Sequence, residues 1–210
     1  GVFQNWSQVE GTAAKYAGAQ PGDLIFVDSN NDGKITEDDR TQIGNPHPDF
    51  TMGLNLNFSY KGFDLNITGA GAFGQQIAKS YRSFADSPLQ NYTTDIFGRW
   101  TGEGTSNKLP RLTSGSHTNW QNISDIYIED GDYLKIQNLT IGYDFKKLFP
   151  TMPLGQARLY LTAQNLFTFT GYSGMDPEIG YGYDKSWVSG IDLGYYPSPR
   201  TYMVGVNLKF

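Results

Sequence analysis

The stretch with the most distinctive chemistry runs from Asp28 to Asp39, reading D-S-N-N-D-G-K-I-T-E-D-D. Asp28, Asn30, Asp32, Thr36 and Asp39 put oxygen-bearing side chains at the first, third, fifth, ninth and twelfth places of a twelve-residue loop, with Gly33 at the sixth. Ca²⁺ is a hard cation that takes six to eight oxygens, and this spacing wraps a chain around one ion while glycine permits the sharp bend. Lys34 adds its main-chain carbonyl, and Thr36 a hydroxyl or a bound water. Asp39 stands where Glu is usual, a shorter carboxylate with less reach. The expected ligand set is therefore Asp28, Asn30, Asp32, Lys34, Thr36 and Asp39 around a structural Ca²⁺. The plainer reading is an Asn/Asp/Gly-rich surface turn that binds nothing. No activated nucleophile lies nearby, so no catalysis is expected there.

Other side chains carry weaker signals. Trp100, Trp120 and Trp187 offer flat faces that stack on sugar rings, with Tyr172, Tyr181, Tyr183, Tyr195 and Tyr196 in the same regions. Such residues more often pack their own loop or form a membrane-interface girdle. His47 and His117 lack the partner spacing of a zinc site. Asp86, Asp95, Glu103, Asp176 and Glu178 supply carboxylates for a glycosidase pair only at a defined separation, and lone acids on loops are usually solvated. The chain is not expected to be an enzyme. With no cysteine, thiolate chemistry and disulfides are excluded. A net charge of −5 argues against a nucleic-acid partner, which requires a basic surface.

The elements that must position these residues are strands. Thr201 to Phe210 alternates cleanly: Tyr202, Val204, Val206, Leu208 and Phe210 share one face, and Thr201, Met203, Gly205, Asn207 and Lys209 the other. The same grammar marks residues 50–60 and 63–73, separated by the tight turn Lys61-Gly62. It recurs at 133–145 and 157–168, although Lys135 and Ile136 break the alternation and suggest that this end projects above a membrane. Each strand is long enough to cross a bilayer when tilted. Short connections (61–62, 146–156) alternate with long ones (74–132, 169–199), as periplasmic turns alternate with extracellular loops in outer-membrane barrels. On that pattern residues 1–49 form an extracellular segment carrying the calcium-type loop, and residues 50–210 supply barrel strands. Aromatics at 15% with only 38% apolar residues suit strands whose second face is polar. No apolar run is long enough for a transmembrane helix. Five strands are too few to close a barrel, so further strands are expected upstream. The main rival is a secreted, calcium-stabilised, carbohydrate-binding β-sandwich, whose strands also alternate; a third reading is part of a glycan-degrading enzyme.

The calcium-type run followed by Ile43-Gly44-Asn45-Pro46-His47-Pro48, the hairpin Tyr60-Lys61-Gly62-Phe63-Asp64-Leu65, the stretch from Asp132 to Tyr143 and the closing Tyr196 to Phe210 together resemble the SusC/RagA family, TonB-dependent outer-membrane transporters of Bacteroidetes. The likeness spans residues 21 to 210, in order. It implies an all-β fold, the C-terminal strands of a 22-stranded antiparallel transmembrane barrel occluded by a plug. It also implies import of oligosaccharides or peptides, a SusD-like surface lipoprotein as partner, and energy relayed by the TonB complex through a part absent from this chain. The pattern Tyr202, Val204, Val206, Leu208 and Phe210 resembles the signal read by the barrel-assembly machinery, and the expected surroundings are outer-membrane lipids.

Overall fold

A computed structural model describes residues 1–80, 92, 94–113, 117–178 and 190–210. The chain divides into two compact units, residues 1–44 with 78–128 and residues 45–77 with 129–210.

Strands dominate the second unit. β1 (Phe50–Tyr60), β2 (Phe63–Phe73), β5 (Tyr133–Asp144), β6 (Gln156–Thr170) and β8 (Thr201–Lys209) form one sheet in that order, every neighbour antiparallel. Short strands β3 (Gln76–Lys79), β4 (Ile128–Asp130) and β7 (Ile191–Asp192) form a second sheet in the order β4-β3-β7. The five long strands match the alternating segments in the sequence to within about two residues at each end, the usual scatter of such boundaries. The three short strands carry too few residues to show a period.

The β1–β2 turn shows how local chemistry sets register. Lys61 (φ 46°) and Gly62 (φ 94°) both adopt left-handed backbone, the two-residue turn whose twist matches that of the flanking strands. Register then runs without a slip from Tyr60 opposite Phe63 to Phe50 opposite Phe73. Directly opposed residues share a face, so Leu56, Ile67, Leu139 and Ala163 form one outward row and Phe58, Leu65, Ile141, Leu161 and Val204 another.

This outward face is apolar and uncovered. Phe58 is 63% exposed, Leu161 54% and Val204 71%. A sandwich would bury such a face against a second sheet; here it lies bare across five strands, far beyond the apolar patch a water-soluble surface tolerates. Eleven residues of β1 span about 35 Å along the strand and, tilted by roughly 45°, about 25 Å of bilayer. Phe50 stacks on Phe73 at one end of the band (4.9 Å) and Phe63 meets Tyr143 at the other (4.4 Å).

The broken alternation at residues 135–136 has a different cause from a projecting strand end. β5 stays paired with β2 and β6 up to Tyr133, but the ladder slips at Gln137, which is extra relative to β2 and faces two residues, Asn165 and Leu166, on β6. Asn165 takes the left-handed conformation (φ 51°) that absorbs the inserted residue. The bulge changes phase. Ile136, Leu134, Phe167 and Phe169 join the outward face, while Lys135 turns inward. Gly69 and Gly71 lie opposite this kink, where an added Cβ would stand 2.9 and 2.7 Å from the carbonyl oxygens of Lys135 and Tyr133.

The first unit has little regular structure. Residues 1–49 and 74–132 read from the sequence as separate loop segments; here residues 1–44 fold together with 78–128. Val2, Phe3, Val9, Leu24 and Trp120 are its buried apolar side chains. Hydrogen bonds from Arg111 N–H to Gly22 O (2.7 Å) and from Val2 N–H to the Asn107 side-chain oxygen (3.0 Å) tie the two stretches.

Replacing Leu56 with Arg is expected to destabilise the folded chain by about 2–4 kcal/mol near the bilayer midplane. Asn55→Arg, pointing to the other face, should cost much less. Denaturant titration of the full protein in lipid vesicles measures both.

Candidate functional site

The inward face of the sheet is polar and largely uncharged. Asn66 donates from its amide to Asn57 (2.6 Å), Asn138 to Asn66 (3.5 Å), and Thr140 and Thr162 share a hydrogen bond (2.9 Å). These residues come from β1, β2, β5 and β6, so the ladder runs sideways across four strands. Amides and hydroxyls both donate and accept, which lets this wall bond to a polar surface of either kind.

Nearer the short turns, Asp64, Gly142, Tyr160 and Gly205 lie opposite one another on four successive strands. Large and absent side chains alternate along the row. Arg158 donates from Nε and from a terminal nitrogen to the two oxygens of Asp64 (2.7 and 2.5 Å), spanning β5 over Gly142. An added Cβ at Gly142 would stand 2.6 Å from the Arg158 Nε, and one at Gly205 2.3 Å from the Tyr160 ring. The guanidinium also sits 4.8 Å from the Tyr160 ring centroid. No sequence motif announces this staple; the only signal is two inward glycines in strands that otherwise alternate.

At the far end Lys135 is buried on the inward face, paired with Glu178 and 3.6 Å from Asp176. Asp176 also accepts from the Glu178 N–H (3.0 Å). These carboxylates, weighed above as a hydrolytic pair, are therefore engaged by one lysine and hold residues 171–178 against β5. The buried Tyr172 hydroxyl donates to Asp192 (2.5 Å), tying the same loop to β7.

The calcium-type loop lies in the first unit and closes on itself. Left-handed Asn31 (φ 60°) and Gly33 (φ 82°) make the two bends. Asp28 accepts from Gly33 N–H (2.8 Å), Asp32 from Lys34 N–H (2.8 Å), and Asp39 from Ser29 N–H (2.8 Å) and Thr36 N–H (2.7 Å). Among the described residues no three acidic or imidazole side chains converge as a metal cluster. The oxygen donors are of the type and spacing Ca²⁺ takes, but here the side chains face main-chain amides and would have to turn inward to meet an ion. The Thr36 amide, above all, holds the Asp39 carboxyl below the usual carboxylate range.

The tryptophans divide. Trp120 is buried and its indole N–H donates to Thr113 (2.7 Å), so its ring serves packing and offers no face for stacking a sugar. Trp100 packs where an added Cβ on Gly22 would touch its ring at 2.5 Å, and its indole nitrogen is buried without a hydrogen-bond partner among the described residues. Trp187, Tyr181, Tyr183 and Asp86 lie outside the described residues. His117 caps the short helix Thr118–Gln121 through Nδ1, which accepts from Asn119 N–H (3.2 Å). Tyr202, Val204, Val206 and Leu208 point outward in β8, and Phe210 follows, 93% exposed.

No protein-family model matches the chain. Over a 215-position alignment that takes in the whole chain, it is 37% identical to TonB-dependent receptor P3 of Formosa agariphila and covers 21% of that protein. It is 29% identical over 193 residues to TonB-dependent receptor SusC of Bacteroides thetaiotaomicron, covering 18% of it. The structure of the RagAB peptide importer in the closed-closed state superimposes with a TM-score of 0.65 at 27% identity, over 85% of this chain and 19% of that one. The chain is similar over its length to one portion of SusC/RagA-type TonB-dependent receptors. It spans about a fifth of the length of the relatives it matches. Its five-stranded sheet is an open arc of a larger transmembrane β-barrel in the bacterial outer membrane. These relatives are receptors and a peptide importer by name.

Gly142→Val is expected to break the Asp64–Arg158 bridge and lower the thermal midpoint of the folded barrel. Gly53→Val, also inward, where an added Cβ meets nothing within 4 Å, is the control. Heat-dependent gel mobility of the full protein reads both.

Proposed function

We propose that this chain serves TonB-dependent nutrient import across the outer membrane, working with a SusD-like surface lipoprotein. The observation that carries the reading is the two-sided wall: an uncovered apolar face outward and a cross-strand ladder of amides and hydroxyls inward. A strand that seals lipid while lining a polar interior suits a transport conduit, and no residue in it has to make or break a bond. The nutrient is an oligosaccharide or a peptide. The peptide importer among the structural neighbours supports the second choice, and the exposed rings of Tyr195 and Tyr196 support the first. The TonB complex acts through parts of the protein outside this chain. The outward series ending at Phe210 serves the barrel-assembly machinery.

Uptake tests this reading. Cells carrying the intact transporter and its neighbouring lipoprotein are expected to accumulate labelled peptide or oligosaccharide, and collapse of the proton gradient should abolish accumulation. Uptake unaffected by the uncoupler sinks the proposal.

We further propose that Asp28, Asn30, Asp32, Lys34, Thr36 and Asp39 hold a structural Ca²⁺. It would supply rigidity to the loop and no chemistry. Trypsin cleavage after Lys34 in the full protein should slow several-fold with Ca²⁺ over chelator, and Asp28→Asn with Asp32→Asn should erase the difference. Folding lowers the Asp39 carboxyl, so its contribution is present above the ordinary carboxylate value and is lost as pH falls through the depressed one. Protection should therefore fade in acid, and protection that persists with Asp39 protonated counts against its role.

A further inference from the structure

The short-turn end of the sheet has a charge opposite to that of the chain. Residues 58–64, 142–160 and 207–210 contain Lys61, Lys146, Lys147, Arg158 and Lys209 against only Asp64 and Asp144, while the whole chain carries −5. Four of these side chains are already engaged. Arg158 is paired with Asp64, Lys146 donates to the carbonyls of Pro150 (2.9 Å) and Met152 (2.6 Å), and the Asp144 carboxylate accepts from the main-chain N–H groups of Lys146 and Ala157. Lys209 belongs to the inward set of β8. Lys61 and Lys147 are left exposed, and neither forms an ion pair with a carboxylate among the described residues.

These two lysines are neighbours. A Cβ added to Gly62 would stand 3.0 Å from the Lys147 Cβ, so Lys147 lies over the turn that carries Lys61. They also sit at the rim of the lipid-facing surface. The Lys61 ammonium is 5.3 Å from the centroid of the outward Tyr60 ring, and Phe63, outward too, begins the next strand. Leu148 and Phe149 follow Lys147 in the same short connection and are 55% and 52% exposed. Exposed apolar side chains beside unpaired ammonium groups at the edge of a hydrocarbon-contacting belt match the boundary between acyl chains and headgroups.

We propose that Lys61 and Lys147, with Tyr60, Phe63, Leu148 and Phe149, form a site for an anionic glycerophospholipid in the leaflet at the short-turn end. The ammonium groups take the phosphodiester headgroup, and the apolar four lie along its acyl chains. Charge complementarity selects the occupant, because a zwitterionic headgroup brings its own cation and gains less from the lysines. The inference rests on the outward face meeting lipid and not on what the protein imports.

The test uses the intact transporter in detergent micelles containing equal phosphatidylglycerol and phosphatidylethanolamine, with retained lipid counted by native mass spectrometry. Wild type is expected to retain phosphatidylglycerol in excess, on the order of tenfold. Lys61→Gln with Lys147→Gln should bring the ratio close to one, heat-dependent gel mobility showing that the barrel stays folded. Where the double variant does not fold, Lys147→Gln alone and a salt series on wild type replace it, and the excess should shrink with each. No preference in wild type, the same preference in the variants, or insensitivity to salt overturns the site. So does loss of lipid to millimolar inorganic phosphate, which would mark a plain anion site. An import assay that fails leaves all of these readings intact.

Discussion

In hydrocarbon a main-chain N–H or C=O without a partner costs several kcal/mol, and no water is present to supply one. That constraint organises the second unit. Each long strand pairs along its length with the next long strand, so outside the bulge β2, β5 and β6 have their polar backbone satisfied on both sides within the sheet. Once the backbone is committed to strands, the period of two decides what each side chain meets. The outward set meets lipid and the inward set meets the polar interior of the barrel. Loops at the long-connection end are free of this rule, and there the chain adopts short helices, bridges and capped turns instead.

The bulge at Gln137 shows the constraint acting on a charge. Continued alternation from Leu139 would carry Lys135 to the outward face, where an ammonium costs more the deeper it lies in hydrocarbon. One extra residue on β5, and Asn165 in left-handed backbone on β6, move it to the inward face. There Asp176 and Glu178 receive it, and in doing so anchor the loop that follows β6. A local departure from ideal pairing thus serves two ends at once: it keeps the greasy face continuous through Phe167 and Phe169 and recruits a loop to the interior.

Most of the sheet was legible from the residues alone, because alternation is a local signal and both β1 and β2 express it without interruption over eleven residues. The facing of Tyr133 to Ile136 was not, since a bulge leaves no mark on composition and its phase change looks like disorder in the pattern. The union of residues 1–44 with 78–128 was equally hidden; the main-chain bond from Arg111 to Gly22 joins stretches about ninety residues apart without any motif. The oxygen spacing of the Asp28–Asp39 loop was visible, but spacing does not say whether the carboxylates turn to an ion or to main-chain amides. For Trp120 the residue type suggested a stacking platform, whereas burial and the bond to Thr113 could be seen only in three dimensions.

The alternation of bulk and void along Asp64, Gly142, Tyr160 and Gly205 bears on how the last strand finds its place. A β8 slipped by two residues keeps its greasy face outward and loses only one rung at an end, so hydrophobicity alone discriminates poorly between the two alignments. The Tyr160 ring, however, occupies the space above Gly205; Met203 or Asn207 brought into that position would collide with it. The aromatic ring and its empty counterpart therefore act as a key and keyway, rejecting misaligned closure where lipid partitioning is blind to it.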